Sequence, residues 1–259
     1  MCHTRMSALL VLVPALCAAA PAHAATLAQV KASGVLRLAT EGNYPPFNHY
    51  KNKALTGFEV ELGNAIAKQL GVKPQWTTVV FESLLLGLDR NRYDLVIASH
   101  GITPERLKAV TFSTPHYCSG GVLVARPGGP RTLEDLKGKV VTMGVNTSYL
   151  GYVQKLPGIG GVKTFPTTND QLNAVLNNRA DAMVLDRFNA IDASKVLPGK
   201  LQIGDVVFPE RIGMAMRRNN AELEQAVNRA LATLMANGTY TKLSQAYFGQ
   251  DVRCPVTPG

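Results

Sequence analysis

The chain has 259 residues, 46% hydrophobic and 17% charged, with 27 basic side chains against 18 acidic ones. That composition excludes a disordered chain and allows one large domain or two lobes of roughly 100 residues each. The net charge of +9 does not point to nucleic acid, because Arg217-Arg218 is the one adjacent basic pair and makes no patch. The excess reads as an evenly solvated basic surface.

Arg5 precedes the apolar run "ALLVLVPALCAAA" and then "PAHAA", where Ala22 and Ala24 form an Ala-x-Ala cleavage pattern. This is the layout of a secretory signal peptide over residues 1–24. The apolar run, about 13 residues, is too short to span a bilayer. A lipoprotein anchor at Cys17 fits less well, since Leu16 stands where a small residue is wanted. The expected mature chain is therefore 25–259, exported to the periplasm, with a charge of +8 after loss of Arg5 from the +9 total.

Short apolar runs then alternate with helical patterns. "VLRLAT" reads as a strand, and "NYPPFNHY" as a loop because its two prolines forbid a helix. "FEVELGNAIAKQL" is an amphipathic helix, "KPQWTTVV" a strand, "FESLLLGLDRNR" a helix and "YDLVIAS" a buried strand. This β-α-β-α-β order implies a parallel sheet covered by helices. The pattern restarts with the strand "GGVLVARPG" and the short helix "TLEDLKGK", capped by Thr132 with Asp135 three residues on. "VVTMGVN", "VKTFP" and "ADAMVLD" follow as strands, separated by the helices "TSYLGYVQKL" and "TNDQLNAVLNNR". "RIGMAMRR" is a further strand, and Gly238 splits the C-terminal helical stretch in two.

Two α/β units in series with helices left over imply a chain that leaves lobe 1 near "YCSGGVLV", builds lobe 2 and returns near "RIGMAMRR". The expected division is 25–119 with 213–259 as lobe 1 and 120–212 as lobe 2, joined by a two-strand hinge. Ligands of open α/β sheets sit beyond the carboxyl ends of the strands. "ATEGNY", "SHGITPER" and "LDRFN" fall at such ends.

Arg106 is a solvated surface charge by default. Its setting suggests an anion grip, because Thr103 can cap a turn whose first helical residue is Pro104, and a guanidinium matches a carboxylate with paired donors. Asp186, in the other unit, either caps the next helix or meets an ammonium. Together the two are complementary to a zwitterion. Tyr44, Phe47 and Phe81 pack in a core by default; Tyr44, in a Pro-rich loop, is better suited to an aromatic wall for a ligand. Glu41 either caps a loop or adds a charge selecting a cationic or amide side chain.

Cys118 and Cys254 survive processing, and an oxidising compartment favours a disulfide over two free thiols. No metal site is expected, since His49, His100 and His116 lack a second ligand at a recognised spacing. No Ser-His-Asp order and no phosphate loop is present either, so covalent chemistry and a cofactor are not implied.

These residues resemble the bacterial extracellular solute-binding proteins of family 3. The likeness rests on "GVLRLATEGNYPPF", "LTGFEVELGNAIAKQLG", "YDLVIASHGITPERLKAVTFSTPHY", "NNRADAMVLD" and "LMANGTYTKLSQAYFG", nearly all of the mature chain. It implies a type II periplasmic-binding-protein fold, a monomer that captures an amino acid between two lobes and passes it to an ABC transporter permease. Residue by residue, it implies that Arg106 grips the α-carboxylate and Asp186 holds the α-ammonium. Tyr44 and Phe81 would sandwich the side chain, Glu41 would contact its far end, and Ser99 would line the strand end. Asn146, Thr147 and Ser148 match a turn giving backbone donors to the carboxylate.

Two departures bear on the ligand. Gly101 stands where many members have Ser or Thr, and Asn146 replaces the usual glycine. A lost hydrogen bond to a charged group is worth about 1.5–3 kcal/mol, and His100 is a candidate substitute. Two other functions fit the same resemblance. One is a cyclohexadienyl dehydratase-like enzyme, which needs a cleft carboxylic acid; "RFNA" after Asp186 supplies none and Glu41 remains. The other is a ligand-sensing accessory protein.

Overall fold

A computed structural model describes residues 26–255. The expected signal peptide lies outside the described residues. Sequence periodicity does not announce the first helix, α1 (Leu27–Ser33), which owes its start to capping. Thr26 and Gln29 each accept the other's backbone N–H, at 2.9 and 3.2 Å, and Gly34 ends the helix at φ 68°.

β1 (Val35–Thr40) leads into a small antiparallel sheet where sequence alone suggests only loop: β2 (Asn43–Tyr44), β3 (Asn48–Lys51) and β4 (Ala54–Thr56). Pro45 and Pro46 do bar a helix, but they turn the chain between β2 and β3. Next come α2 (Phe58–Gln69), β5 (Lys73–Thr78), α3 (Leu84–Asp89), β6 (Leu95–Gly101), α4 (Pro104–Ala109), β7 (Val110–Phe112) and β8 (Tyr117–Ala125). The second unit holds β9 (Val140–Gly144), α5 (Ser148–Val153), β10 (Gly161–Phe165), α6 (Thr168–Leu176), β11 (Ala182–Asp186) and α7 (Arg187–Val196). β12 (Gln202–Arg217), α8 (Ala221–Ala236) and α9 (Thr239–Phe248) complete the described chain. The expected helix at "TLEDLKGK" is one 3-10 turn, Glu134–Leu136, although the reciprocal Thr132–Asp135 cap does form.

The large sheet runs β10-β9-β11-β8-β12-β6-β1-β5, with β7 paired to β12. β1, β5 and β6 are parallel in one lobe, and β9, β10 and β11 are parallel in the other. The centre is antiparallel: β8 pairs with β12 from Ala125–Gln202 to Tyr117–Ile212, and the far end of β12 continues onto β6. These two strands therefore connect the lobes. β12 begins nine residues before "RIGMAMRR", because its first half, with alternating polar residues and Pro209, lacks the apolar run that announces a buried strand.

Each lobe buries apolar residues on both faces of its sheet. Leu36, Leu38, Phe58, Leu62 and Ile66 pack with Leu223, Val227 and Leu231 of α8 in the first, while Leu123, Val141, Met143 and Val184 centre the second. Phe47 is fully buried between Tyr44 and Tyr117, so it is a core residue and not cleft wall. Cys118 and Cys254 form a disulfide with Cα atoms 4.7 Å apart. Beside it Cys118 N–H donates to Val252 C=O at 3.0 Å, tying the tail to β8.

Candidate functional site

The end of β6 sets the first wall. After "DLVIA", Ser99 adopts φ 52°, a left-handed conformation inside β6, between the two registers in which that strand pairs with β12. Buried Glu59 of α2 holds this residue. Its Oε1 accepts Ser99 N–H at 2.8 Å and bonds His116 Nε2 at 3.0 Å; its Oε2 accepts Ser99 Oγ–H at 3.1 Å and Asn48 Nδ2–H at 2.9 Å. Asn48 Oδ1 in turn accepts Gly42 N–H at 2.9 Å, so one carboxyl fixes β6, the loop after β1 and the segment before β8.

Thr103 caps α4 as its position suggests, accepting Arg106 N–H at 3.2 Å, with Pro104 as first helical residue. That places the Arg106 side chain back over the strand end. Nη1 donates to Gly101 C=O at 2.9 Å, and Nη2 crosses to the other lobe, donating to Asn146 C=O at 2.8 Å. The guanidinium also lies over the Phe81 ring, 5.7 Å from its centroid. Asn146 has φ 58°, so the residue replacing glycine keeps glycine's backbone; asparagine tolerates that region better than most side chains. Two further bonds draw the lobes together: Asn189 Nδ2–H to Pro45 C=O at 2.5 Å, and Asn169 Nδ2–H to Asn43 Oδ1 at 3.4 Å.

Between the lobes is a cleft lined by residues of both. Glu41, Tyr44, Phe81, Ser99 and Arg106 line one side. Thr147, Ser148, Tyr149, Gln171 and Leu185 line the other. Of the nine sequence-derived candidates, seven meet here. Asp186 and Gly101 lie just behind the wall.

Asp186 is 1% exposed and does cap α7: Oδ1 accepts Phe188 N–H at 2.8 Å and Asn189 N–H at 3.4 Å. Its Oδ2 makes no hydrogen bond within 3.5 Å, although the Ser119 hydroxyl lies near enough to pull the carboxyl's pKa down. Burial pushes this carboxyl up to about 7. Glu41 is likewise raised to about 7, first by burial and then by Glu82 and Glu59 nearby. Against these acids, Arg106 is the only cationic side chain in the cleft wall.

His100 is no hydroxyl substitute at residue 101. Its ring stacks on Phe81, 4.3 Å between centroids, and burial followed by the charge of Arg106 holds its pKa well below the usual imidazole value. The space at Gly101 is filled instead by Glu210 of β12, whose Oε1 accepts Ser148 Oγ–H at 2.5 Å. Among the described residues no group of three or more His, Cys, Asp or Glu is placed to hold a metal, and no helix is long and apolar enough to cross a membrane.

The family model for bacterial extracellular solute-binding proteins, family 3, matches residues 36–250. The chain belongs to this family. It is 36% identical over 232 residues to the L-cystine-binding protein TcyJ of Escherichia coli K12, covering 87% of each chain. It is 31% identical to ABC transporter arginine-binding protein 1 of the same strain, over 83% of this chain and 91% of that one. An ancestral arginine-binding protein bound to arginine superposes with a TM-score of 0.80 at 35% identity, covering 83% of this chain and 99% of that structure. These relatives are binding proteins and not enzymes, so this solute-binding protein is not read as a dehydratase.

Within the solute-binding framework, sequence reasoning passes over Glu59, Glu210 and Asn189. Glu59 carries a signal in retrospect, a glutamate inside the buried stretch of "GFEVEL" at the start of a helix. Glu210 carries none: its partners, Gly101 and Ser148, are 109 and 62 residues away in the chain.

Proposed function

We propose that this chain is a periplasmic receptor for an amino acid with a cationic or hydrogen-bond-donating side chain, and that it delivers the ligand to an ABC transporter permease. The observation that carries the reading is the charge arrangement of the cleft, with the half-buried Arg106 guanidinium and the Glu41 carboxyl in its wall and the Asp186 carboxyl buried next to Leu185 of that wall. Arg106 takes the ligand carboxylate. Asp186, whose Oδ2 has no close hydrogen bond and only the Ser119 hydroxyl nearby, takes the ammonium. Tyr44 and Phe81 flank the side chain, Glu41 meets its far end, and Ser99, Thr147 and Ser148 line the walls. The relatives' ligands, cystine and arginine, both carry a second ammonium or a guanidinium.

The lobes in this reading are 25–119 with 213–259, and 120–212, closing about β8 and β12. The closed form is what a permease recognises, so ligand acts by favouring one of two states. The protein is exported by cleavage after Ala24 and acts as a monomer. Thermal unfolding with each common amino acid, diamines and small carboxylates tests the ligand class, because a ligand bound only to the native state raises Tm by mass action. Stabilisation by dibasic amino acids or cystine is expected; a response to none of the amino acids would overturn the reading.

A further inference from the structure

β12 carries Glu210 into the junction of the lobes, opposite Ser119 of β8. Its carboxyl occupies the space that a side chain at residue 101 would need. A Cβ on Gly101 would overlap Glu210 Oε1 and come within 3.3 Å of its Cδ. The same Oε1 takes the hydroxyl of Ser148, a residue of the cleft wall. The groups facing Glu210 are Arg106 from α4, Ser148 and Tyr149 from α5, Asp186 at the end of β11 and Tyr44 from β2. Of these, Arg106 alone is cationic; on its other side Glu210 lines a pocket with Arg187 of α7, Arg211 of its own strand, and Asp251 and Arg253 of the tail.

We propose that Glu210 is a positioning residue of the binding site: it fills the gap at Gly101, holds the Ser148 hydroxyl and takes up one proton when a ligand carboxylate is drawn to Arg106. The proposal rests on the amino-acid reading above. Glu210 feels the Arg106 charge without an ion pair to it, and a ligand carboxylate drawn to the same guanidinium would repel an ionised Glu210. A neutral Glu210 removes that repulsion, keeps Ser148 as a partner and adds an O–H donor beside the anion. Burial already lifts Glu210 above the ordinary glutamate range, against the pull of Ser148, Tyr149 and Arg106. A second anion at Arg106 lifts it further. Between the ligand-free and ligand-bound values the complex binds more protons than the free protein, so this contribution to affinity grows as pH falls. It opposes that of Asp186 and Glu41, which attract a cation only when ionised.

The test has a ligand-free arm and a ligand arm. Gly101→Ser should displace the Glu210 carboxyl from Ser148 and lower Tm, and adding Glu210→Ala should restore it; a Gly101→Ser protein whose Tm falls equally with and without Glu210→Ala would show that Glu210 does not fill the gap. In the ligand arm, titration calorimetry with L-arginine and with L-cystine at pH 6–8.5, in buffers of different ionisation enthalpy, counts protons. Wild type should take up more protons than Glu210→Gln, up to one, with its affinity relative to the variant rising by up to about tenfold per pH unit lowered. Agmatine, which lacks the carboxylate, should show no such difference. Equal proton counts and parallel pH profiles in wild type and Glu210→Gln would overturn the linkage, because a merely structural glutamate predicts them. If neither amino acid binds, the ligand reading fails and the linkage with it, while the melting temperatures still decide the Gly101–Glu210 exchange.

Discussion

Arg106 and Asn146 meet across the cleft, the guanidinium Nη2 of one lobe donating to the backbone carbonyl of the other at 2.8 Å. The arginine proposed to grip the ligand thus also links the lobes. Removing it should act on both roles. Arg106→Ala deletes bonds to two carbonyls and the charge that meets a carboxylate, each charge-assisted bond being worth about 1.5–3 kcal/mol. Affinity for amino-acid ligand should fall at least about a hundredfold. Calorimetry measures that loss, and small-angle scattering should show fewer closed molecules at equal ligand concentration. Unchanged affinity would remove Arg106 from the site.

What was legible in the sequence divides along physical lines. Buried parallel strands and their helices announce themselves through apolar runs, and Thr103-Pro104 through cap chemistry, so Arg106 was locatable from the residues beside it. Asn146 entered only through the family resemblance, as a departure from glycine, and its left-handed backbone is visible only in the fold. Glu210 and Glu59 were not legible, because each acts through partners brought close only by the fold: Gly101 and Ser148 for the one, Ser99, His116 and Asn48 for the other. The first half of β12 hid for a related reason. Its partner is the hinge strand β8, and its pattern is not that of a buried core strand.

The disulfide closes a loop with a sequence separation of 136 residues and pins the C-terminal tail against β8. The chain-entropy model credits such a closure with about 5 kcal/mol, and measured losses run at about 2–5. Cys118→Ser with Cys254→Ser should therefore lower Tm by roughly 5–15 °C for a chain of this size. The cut pins only the tail, so ligand affinity of the folded variant should change little. Free-thiol titration of the unfolded exported protein should find none in wild type; two reactive thiols would contradict the bridge.

Glu41 and Asp186 give the pH dependence a definite sign. Each carboxyl is raised in the folded protein to about 7 from ordinary values near 4. Their favourable contribution to stability is complete below the unfolded value and is lost as pH rises through about 7. The ligand-free protein should thus lose Tm between about pH 4 and 7 through these groups, and Glu41→Gln should flatten that slope. A cationic ligand reverses the preference, since it lowers the pKa of the carboxyls it meets. Their contribution to affinity should rise with pH and level off above about 7. A ligand-free stability curve with the same slope in Glu41→Gln and wild type would remove Glu41 from this account.

Asp186 carries two roles on two oxygens, and a pair of substitutions separates them. Oδ1 caps α7 through Phe188 and Asn189, while Oδ2 is the oxygen proposed to meet a ligand ammonium. Asparagine preserves a capping oxygen but places a neutral amide where the carboxylate would meet the cation. Asp186→Asn should therefore keep Tm near or above wild type, because it also removes a buried ionisable group. Its affinity for amino acids should fall about ten- to a hundredfold, the worth of one charge-assisted bond. Asp186→Ala loses the cap as well, about 1 kcal/mol, and leaves α7 with unsatisfied N–H groups. Its Tm should drop by a few degrees on top of the same loss of affinity. Thermal unfolding and calorimetry on the two variants distinguish the roles. An Asp186→Asn protein that binds amino acids as wild type does would leave this residue as a helix cap and nothing more.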